Sequence, residues 1–408
     1  MPELRPFRGF RYSDEENLKA LVCPPYDIIS PEEQAKLHEC DPHNAVRLEL
    51  AQAKGEGAAR YTDIRRAFET WVEDGVLTED REPSLYVYRQ DFTTADGTRR
   101  RVAGVIGALA LEEFGKDSGV LPHERTMPGP IEDRLALIRA LAMNVSPIYG
   151  IFRGGGGLGA FYDSLEHRPT QGRFQDEHGI LHRLWVIAAP AEVEMLASAV
   201  GAGPLVIADG HHRYETALAY QRERGDEPGG HTKIMCFCVD ADGEDLVVLP
   251  YNRVLRLAPG GPDLRASLEA AGAATIGAEP EKALAGSDSD HPFVFVLPDD
   301  NYLVEVSDVE VVAAVGDRAR AWRDLDVVAL HEALLPRIAP QGIADLSFTK
   351  DPGEVARLVG EGWDAGVLLR ALAAPQIVDV ARSGERMPQK ASYFWPKAIT
   401  GLVFRSLR

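Results

Sequence analysis

Apolar positions along the chain fall into helical stripes and strand-like runs that do not alternate regularly. From Ala58 to Asp74 the spacing of Tyr61, Ile64, Ala67, Phe68, Trp71 and Val72 predicts an amphipathic helix. Leu85–Tyr88 and Arg101–Leu109 read as strands around the hairpin turn Ala95-Asp96-Gly97. Ile131–Met143 and Ala191–Ala199 read as helices, and Asn144–Phe152 as a strand followed by a flexible loop at Gly154–Gly157. Pro204–Ala208 is a short buried strand. The helix after it has a stripe at Tyr214, Ala217, Leu218 and Gln221 and ends in a basic turn, Arg222 and Arg224, before Gly225. Lys233–Val239 and Leu246–Pro250 are expected to form a hairpin around Asp240–Gly243, and Asp324–Pro336 a helix carrying His331. Near the N-terminus, Ser30 as cap, Pro31 at the first helical position and Glu33 at the third specify a helix start. The pattern predicts an α+β fold without βαβ repeats.

Beyond Leu257 the composition shifts, with Ala258–Pro262 and Gly286–Asp290 punctuating alanine-rich helices and short strands. The expected organisation is an N-terminal α+β domain over residues 1–256 and a smaller C-terminal α/β domain over 257–408, its tail docking back toward the first. A formal net charge of −19 argues against sequence-independent nucleic-acid binding, which needs basic faces to displace counterions. No run approaches the roughly eighteen apolar residues of a membrane span, and the first residues lack a signal-like apolar segment, so a cytoplasmic location with no membrane partner is expected. The four cysteines, Cys23, Cys40, Cys236 and Cys238, match no zinc spacing, and Cys236 and Cys238 would share one face of a buried strand. Asp240, Asp242 and Gly243 resemble a calcium-loop fragment whose other ligands are missing, so a plain turn is expected and no metal ligands are assigned.

The chemistry concentrates where the Pro204–Ala208 strand turns into a helix. Asp209 is a good N-cap residue, and Gly210 lets a ligand approach the backbone. His211, His212 and Arg213 then project from a helix N-terminus whose N–H groups favour anions. Such an arrangement is a phosphate cradle, with Arg213 adding a bidentate charged donor. A histidine-decorated turn satisfied by local hydrogen bonds is the structural alternative. No Walker-type lysine motif or G-x-G-x-x-G turn accompanies a strand-to-helix junction.

Asp209-Gly210-His211-His212-Arg213-Tyr214-Glu215-Thr216-Ala217 is similar to the phosphate-binding turn of the ParB/sulfiredoxin-like fold, whose superfamily includes nucleotide-binding partition proteins, sulfiredoxin and the free-serine kinases. Along nearly its whole length the chain also resembles the family catalogued as domain of unknown function ten-fifteen. The residues carrying that likeness are Cys23–Ser30, His123–Thr126 with Asp133-Arg134 and Asn144–Ile148, the turn itself, Leu249–Val254 and Met387–Lys397. The chain departs from the family pattern at Asn252, where a histidine is expected, and at Ala391, where a serine is expected. The resemblance implies a ParB/sulfiredoxin-like mixed-sheet core.

It further implies a phosphotransferase, a kinase acting on a small hydroxyl compound such as free serine, with a nucleotide (ATP or ADP) or pyrophosphate as donor and Mg²⁺ as helper. Gly210, His211, His212, Arg213 and Arg125 would hold phosphates. Tyr26, Asp27, Asn144 and Lys390 would contact the substrate, although the rigid Cys23-Pro24-Pro25-Tyr26-Asp27 turn equally suits a structural corner. Lys390 and Lys397 flank Tyr393-Phe394-Trp395, a segment that either reaches the anion site or docks as a C-terminal strand. The proton acceptor is expected among Glu124, Asp209 and His211. Glu124 leads because Asp133 has a local partner in Arg134 and Asp27 precedes a helix cap. The alternative reading is a nucleotide-binding switch with slow or no hydrolysis. A metal-dependent hydrolase built on His211, His212 and Asp209 is disfavoured, because adjacent helical side chains point about 100° apart. The expected partner is a small molecule; the oligomeric state is not legible.

Overall fold

The computed structural model describes residues 1–50, 59–94, 96–115, 118–124 and 130–408. The chain forms two compact units, one of Met1–Pro122, Thr126–Leu246 and Pro396–Arg408, the other of His123–Arg125 and Val247–Trp395.

The first unit is built on a nine-stranded mixed sheet. Its middle strand, Lys233–Asp240, runs antiparallel to Arg99–Ala110 and parallel to Ile148–Phe152. A strand covered on both faces should read as continuously apolar, and Ile234 to Val239 is buried throughout. Cys236 and Cys238 are fully buried there and act as small hydrophobes. Leu205–Asp209 pairs antiparallel with Ile148–Phe152 and parallel with Val120–Pro122. The helix His211–Arg224 packs Tyr214, Ala217 and Leu218 into a core shared with Ile148, Ile207 and Cys236, each large side chain contributing roughly 1.5–3 kcal/mol. Tyr214 stacks on Phe114 and donates its hydroxyl to the Glu112 carbonyl at 2.9 Å.

A second, four-stranded sheet in this unit joins Leu77–Glu79, Gly9–Tyr12, Phe404–Ser406 and Met143–Asn144. The C-terminal segment is therefore an inner strand of the first unit. Just upstream of it, Cys23 and Thr400 exchange backbone hydrogen bonds at 3.1 and 2.9 Å, which fixes the Pro24-Pro25 turn against the tail.

The second unit carries a six-stranded sheet that is antiparallel throughout, in the order Ala274–Ile276, Asn301–Val306, His291–Val296, Ala365–Leu368, Asn252–Leu257, Ile343–Thr349. Val254, Val294, Val355, Val359 and Leu368 form its core.

Several expected elements appear where the pattern put them, among them Ala59–Glu73, Pro31–Cys40 with the Ser30 side chain accepting from Glu33 N, and Pro190–Val200. Two do not. Val247–Leu249 pairs with Tyr393–Trp395, not with Lys233–Asp240. The intervening turn is engaged elsewhere: the buried Asp240 carboxylate accepts from Gly154 N and Gly156 N at 2.8 Å, anchoring the glycine loop expected to be flexible. The helix expected over Asp324–Pro336 starts at Asp326 and widens into a π-turn at Ala329–Leu334. Pro336 lacks the N–H that an α-helical ladder needs at that point. Among the described residues, no helix is long and apolar enough to cross a membrane.

Candidate functional site

The strand-to-helix turn owes its shape to an irregularity in pairing. Ile207 faces Gly150 while Asp209 faces Tyr149, so Ala208 is bulged out and the strand is re-aimed as it ends. Gly210 follows at φ 89°, ψ 29°, a left-handed conformation open to glycine. A Cβ there would also lie 2.9 Å from Ile148 Cγ2 and 3.0 Å from Arg213 Nε.

These two features overturn the N-cap expectation for Asp209. The helix starts after Gly210, which occupies the capping position, and no side chain caps it. Asp209 is displaced from the first-turn amides and meets two cations instead. Lys397 Nζ donates to Oδ1 at 2.6 Å and Arg213 Nη2 to Oδ2 at 2.8 Å. Burial opposes ionisation of Asp209, but Lys397 and Arg213, with a smaller contribution from His211, hold its carboxyl down at about 2.

Arg213, expected to hold phosphate, is also engaged within the protein. Its Nη1 donates to Pro147 O at 2.6 Å and Ser146 Oγ at 3.1 Å while Nη2 holds Asp209, so the guanidinium braces the turn. Its Nε is buried without a partner. The guanidinium lies 5.8 Å from the Tyr26 ring centre, and that of Arg134 lies 4.4 Å from it, placing both cations on one aromatic ring.

Asp27 follows Tyr26 in a short 3₁₀ turn set by Pro24 and Pro25. It keeps an exposed face, yet enough protein surrounds it that desolvation, and then the Asp209 charge, lifts its carboxyl above the ordinary range; Arg213 and Lys397 pull the other way. The structure thus brings Tyr26, Asp27, Asp209, Gly210, His211 and Arg213 together and adds Lys397. His211 is buried and His212 half-buried at the helix start.

Sequence reasoning missed Glu49. This buried carboxyl accepts from Ser146 Oγ at 3.2 Å, and its backbone carbonyl accepts from Arg134 at 3.0 Å. Burial raises its pKa against the pull of Arg134 and Arg213. Together with Arg134, Ser146, Arg213 and Thr216 it lines a cavity of about 50 Å³. Nothing in the sequence around Glu49 marks it, since its neighbours Val46, Leu48 and Leu50 read as ordinary packing.

Asn144 sits in the four-stranded sheet, where Oδ1 accepts from Met235 N at 2.9 Å and Arg405 Nη1 at 3.0 Å, and it also lines the cavity beside Glu49 and Arg213. Glu124 and Lys390 belong to the second unit. Glu124 forms a parallel bridge with Met387, beside His123, whose Nε2 lies 3.1 Å from Ser392 Oγ. Lys390 adopts φ 54° with Nζ 5.4 Å from the Tyr251 ring centre. Arg125 lies outside the described residues. Among the described residues no group of three or more His, Cys, Asp or Glu side chains could hold a metal ion.

A family model described as protein of unknown function (DUF1015) matches residues 4–328. The chain belongs to this family. The match spans the Pro24-Pro25 turn and the Asp209–Arg213 turn and stops before Lys397. No curated protein matches the chain. Solved structures similar to this DUF1015 chain include a free serine kinase variant in complex with ADP, at 12% identity and TM-score 0.34, covering 68% of this chain and 84% of that one. SbnI with a C-terminal truncation from Staphylococcus aureus stands at 11% and 0.37, covering 72% and 85%. A conserved hypothetical protein from Pyrococcus furiosus stands at 14% and 0.33, covering 71% and 94%.

Proposed function

We propose that the first unit binds a phosphate-bearing ligand, a nucleotide or pyrophosphate, at the start of the His211–Arg224 helix and transfers a phosphoryl group from it to a small hydroxyl compound such as free serine. The observation that carries this reading is the exposed Asp27 carboxyl beside the two ion pairs that Lys397 and Arg213 make with Asp209, at a helix start that no side chain caps. In this reading Asp209-Gly210-His211-His212 is a phosphate turn of the ParB/sulfiredoxin-like kind. A bare glycine lets the phosphate approach the backbone, the helix N-terminus favours its charge, and Lys397 and Arg213 set a positive field around it.

The chemical roles divide by basicity. Asp209, held at about 2 by two cations, is a poor proton acceptor and serves as the anchor that positions Lys397 and Arg213. Asp27, with a raised pKa and an open face, takes the proton from the acceptor hydroxyl as the new O–P bond forms and the bond to the leaving phosphate breaks. Phosphoryl transfer asks mainly for positioning and charge stabilisation, and this arrangement offers both. Magnesium, where present, would travel with the phosphates of the donor, and no step is routed through it.

The test is turnover. ATP, ADP and pyrophosphate are offered with serine and other small hydroxyl compounds, and phosphorylated acceptor is measured. Asp27→Asn should reduce turnover by about 10²–10⁴-fold while donor affinity stays near wild type. Glu124→Gln run in parallel discriminates the two base assignments, and full loss in that variant with normal Asp27→Asn turnover would reverse ours. Donor binding with no phosphorylated product from any pair would replace the enzyme by a nucleotide-binding switch.

A further inference from the structure

The strand Leu85–Thr93 of the first unit has two faces, because successive side chains alternate. Leu85 and Val87 enter the hydrophobic core with Ala103, Val105, Trp185 and Ile187. Tyr88 and Gln90 stand on the opposite face, both fully buried, and their polar groups must be satisfied there. In register, Gln90 lies opposite His182 and His182 opposite Phe174, so a row crosses the three strands that end the nine-stranded sheet.

These groups are joined end to end. Asp176 Oδ2 lies 3.0 Å from His182 Nε2, and His182 Nδ1 lies 2.7 Å from the Tyr88 hydroxyl. Burial pushes the Tyr88 phenol up and a hydrogen bond from the Ile399 backbone pulls it back, the sign expected of an N–H donated to its oxygen. Tyr88 is then left to donate to His182 Nδ1, which puts the ring proton on Nε2, facing Asp176. Phe174 stacks on the imidazole with ring centres 4.6 Å apart. Gln90 Nε2 donates to the Lys397 carbonyl at 2.9 Å; among the described residues its Oε1 finds no partner, so the bond to Lys397 is what this buried amide does.

Both arms grip the same short piece of tail. Gln90 holds the backbone of Lys397 and Tyr88 that of Ile399, while Lys397 Nζ donates to Asp209 at 2.6 Å. In sheet order the strand Leu85–Thr93 stands four places from Leu205–Asp209. A lysine carries its charge on a flexible stem, so its backbone must be fixed for the ammonium to stay on one carboxylate. We infer that Gln90 and the Tyr88–His182–Asp176 hydrogen-bond chain are positioning residues that set Lys397 against Asp209 and, through that pair, shape the phosphate turn. The effect on the turn rests on its reading as a phosphate site; the placement of Lys397 does not.

The full-length protein is acylated with acetic anhydride under native conditions, and each lysine is read by mass spectrometry. In the wild type, Lys397, whose side chain is 9% exposed, should be labelled far more slowly than Lys282, at 77%. Tyr88→Phe removes the hydroxyl and keeps the ring, and Gln90→Met removes the donor and keeps the length. Each leaves buried groups unpaired, and Lys397 labelling relative to Lys282 should rise by about tenfold. Val87→Ala, on the core face of the same strand, lowers stability by opening a cavity and should leave Lys397 protected. Protection unchanged in Tyr88→Phe and Gln90→Met, or lost equally in Val87→Ala, overturns the positioning role. Should one of the two variants fail to fold, the other carries the test. Pyrophosphate affinity of the same proteins should fall together with Lys397 protection. A wild type that binds no pyrophosphate defeats the phosphate reading, and the labelling result then stands by itself.

Discussion

At Asp209 burial and charge pull in opposite directions, and two cations decide the outcome. Its folded pKa of about 2 lies below the ordinary 3.8. The pairing therefore stabilises the fold above about pH 4 and is lost as pH falls toward 2, a contribution of about 2 kcal/mol. Asp27 has the opposite sign, since its raised pKa makes ionisation oppose folding as pH rises through it. Lys397→Met leaves Asp209 half-paired, and stability in urea at pH 7 should drop by about 3–5 kcal/mol, the gap to wild type narrowing as pH falls toward 2. A gap independent of pH would mean that Lys397 contributes through packing alone. The residue types of this site were legible: Asp209 to Arg213 stand out in the sequence, and Lys397 ends a family motif. Their roles were not, because a single bulged residue, Ala208, moves Asp209 from capping a helix to anchoring two cations, and no local pattern announces a bulge.

The turn itself depends on one backbone conformation. Gly210 combines positive φ with a wall formed by Ile148, so Gly210→Ala should cost about 1–2 kcal/mol from the left-handed backbone, with further loss from the contact. Chemical denaturation reads this directly, and an unchanged midpoint would show that the turn can relax to another shape. Elements fixed by local chemistry were readable, such as the Ser30–Glu33 helix start and the Tyr61, Ile64, Phe68, Trp71 stripe, whose members are all buried. Elements fixed by distant partners were not. Val247–Leu249 is three residues long and carries no register information of its own, and its partner, Tyr393–Trp395, lies far along the chain.

For the molecule as a whole, the C-terminal segment is structural to the first unit despite following the second in sequence. Pro396–Arg408 supplies an inner strand, the Thr400 bridge to Cys23 and the Lys397 ammonium. Removing it should abolish the cooperative melting of the first unit, monitored by calorimetry, and adding pyrophosphate should not restore it. A truncated chain that melts as wild type would reduce the tail to an accessory. The central claim is that a phosphate sits at the start of the His211–Arg224 helix. It is tested most directly by following backbone amide resonances during titration with ADP and with pyrophosphate. The account predicts that the amides of Gly210, His211 and His212 shift saturably and together, with the same affinity as calorimetry gives. Binding that leaves these three amides unmoved, or no binding of either ligand, would contradict it.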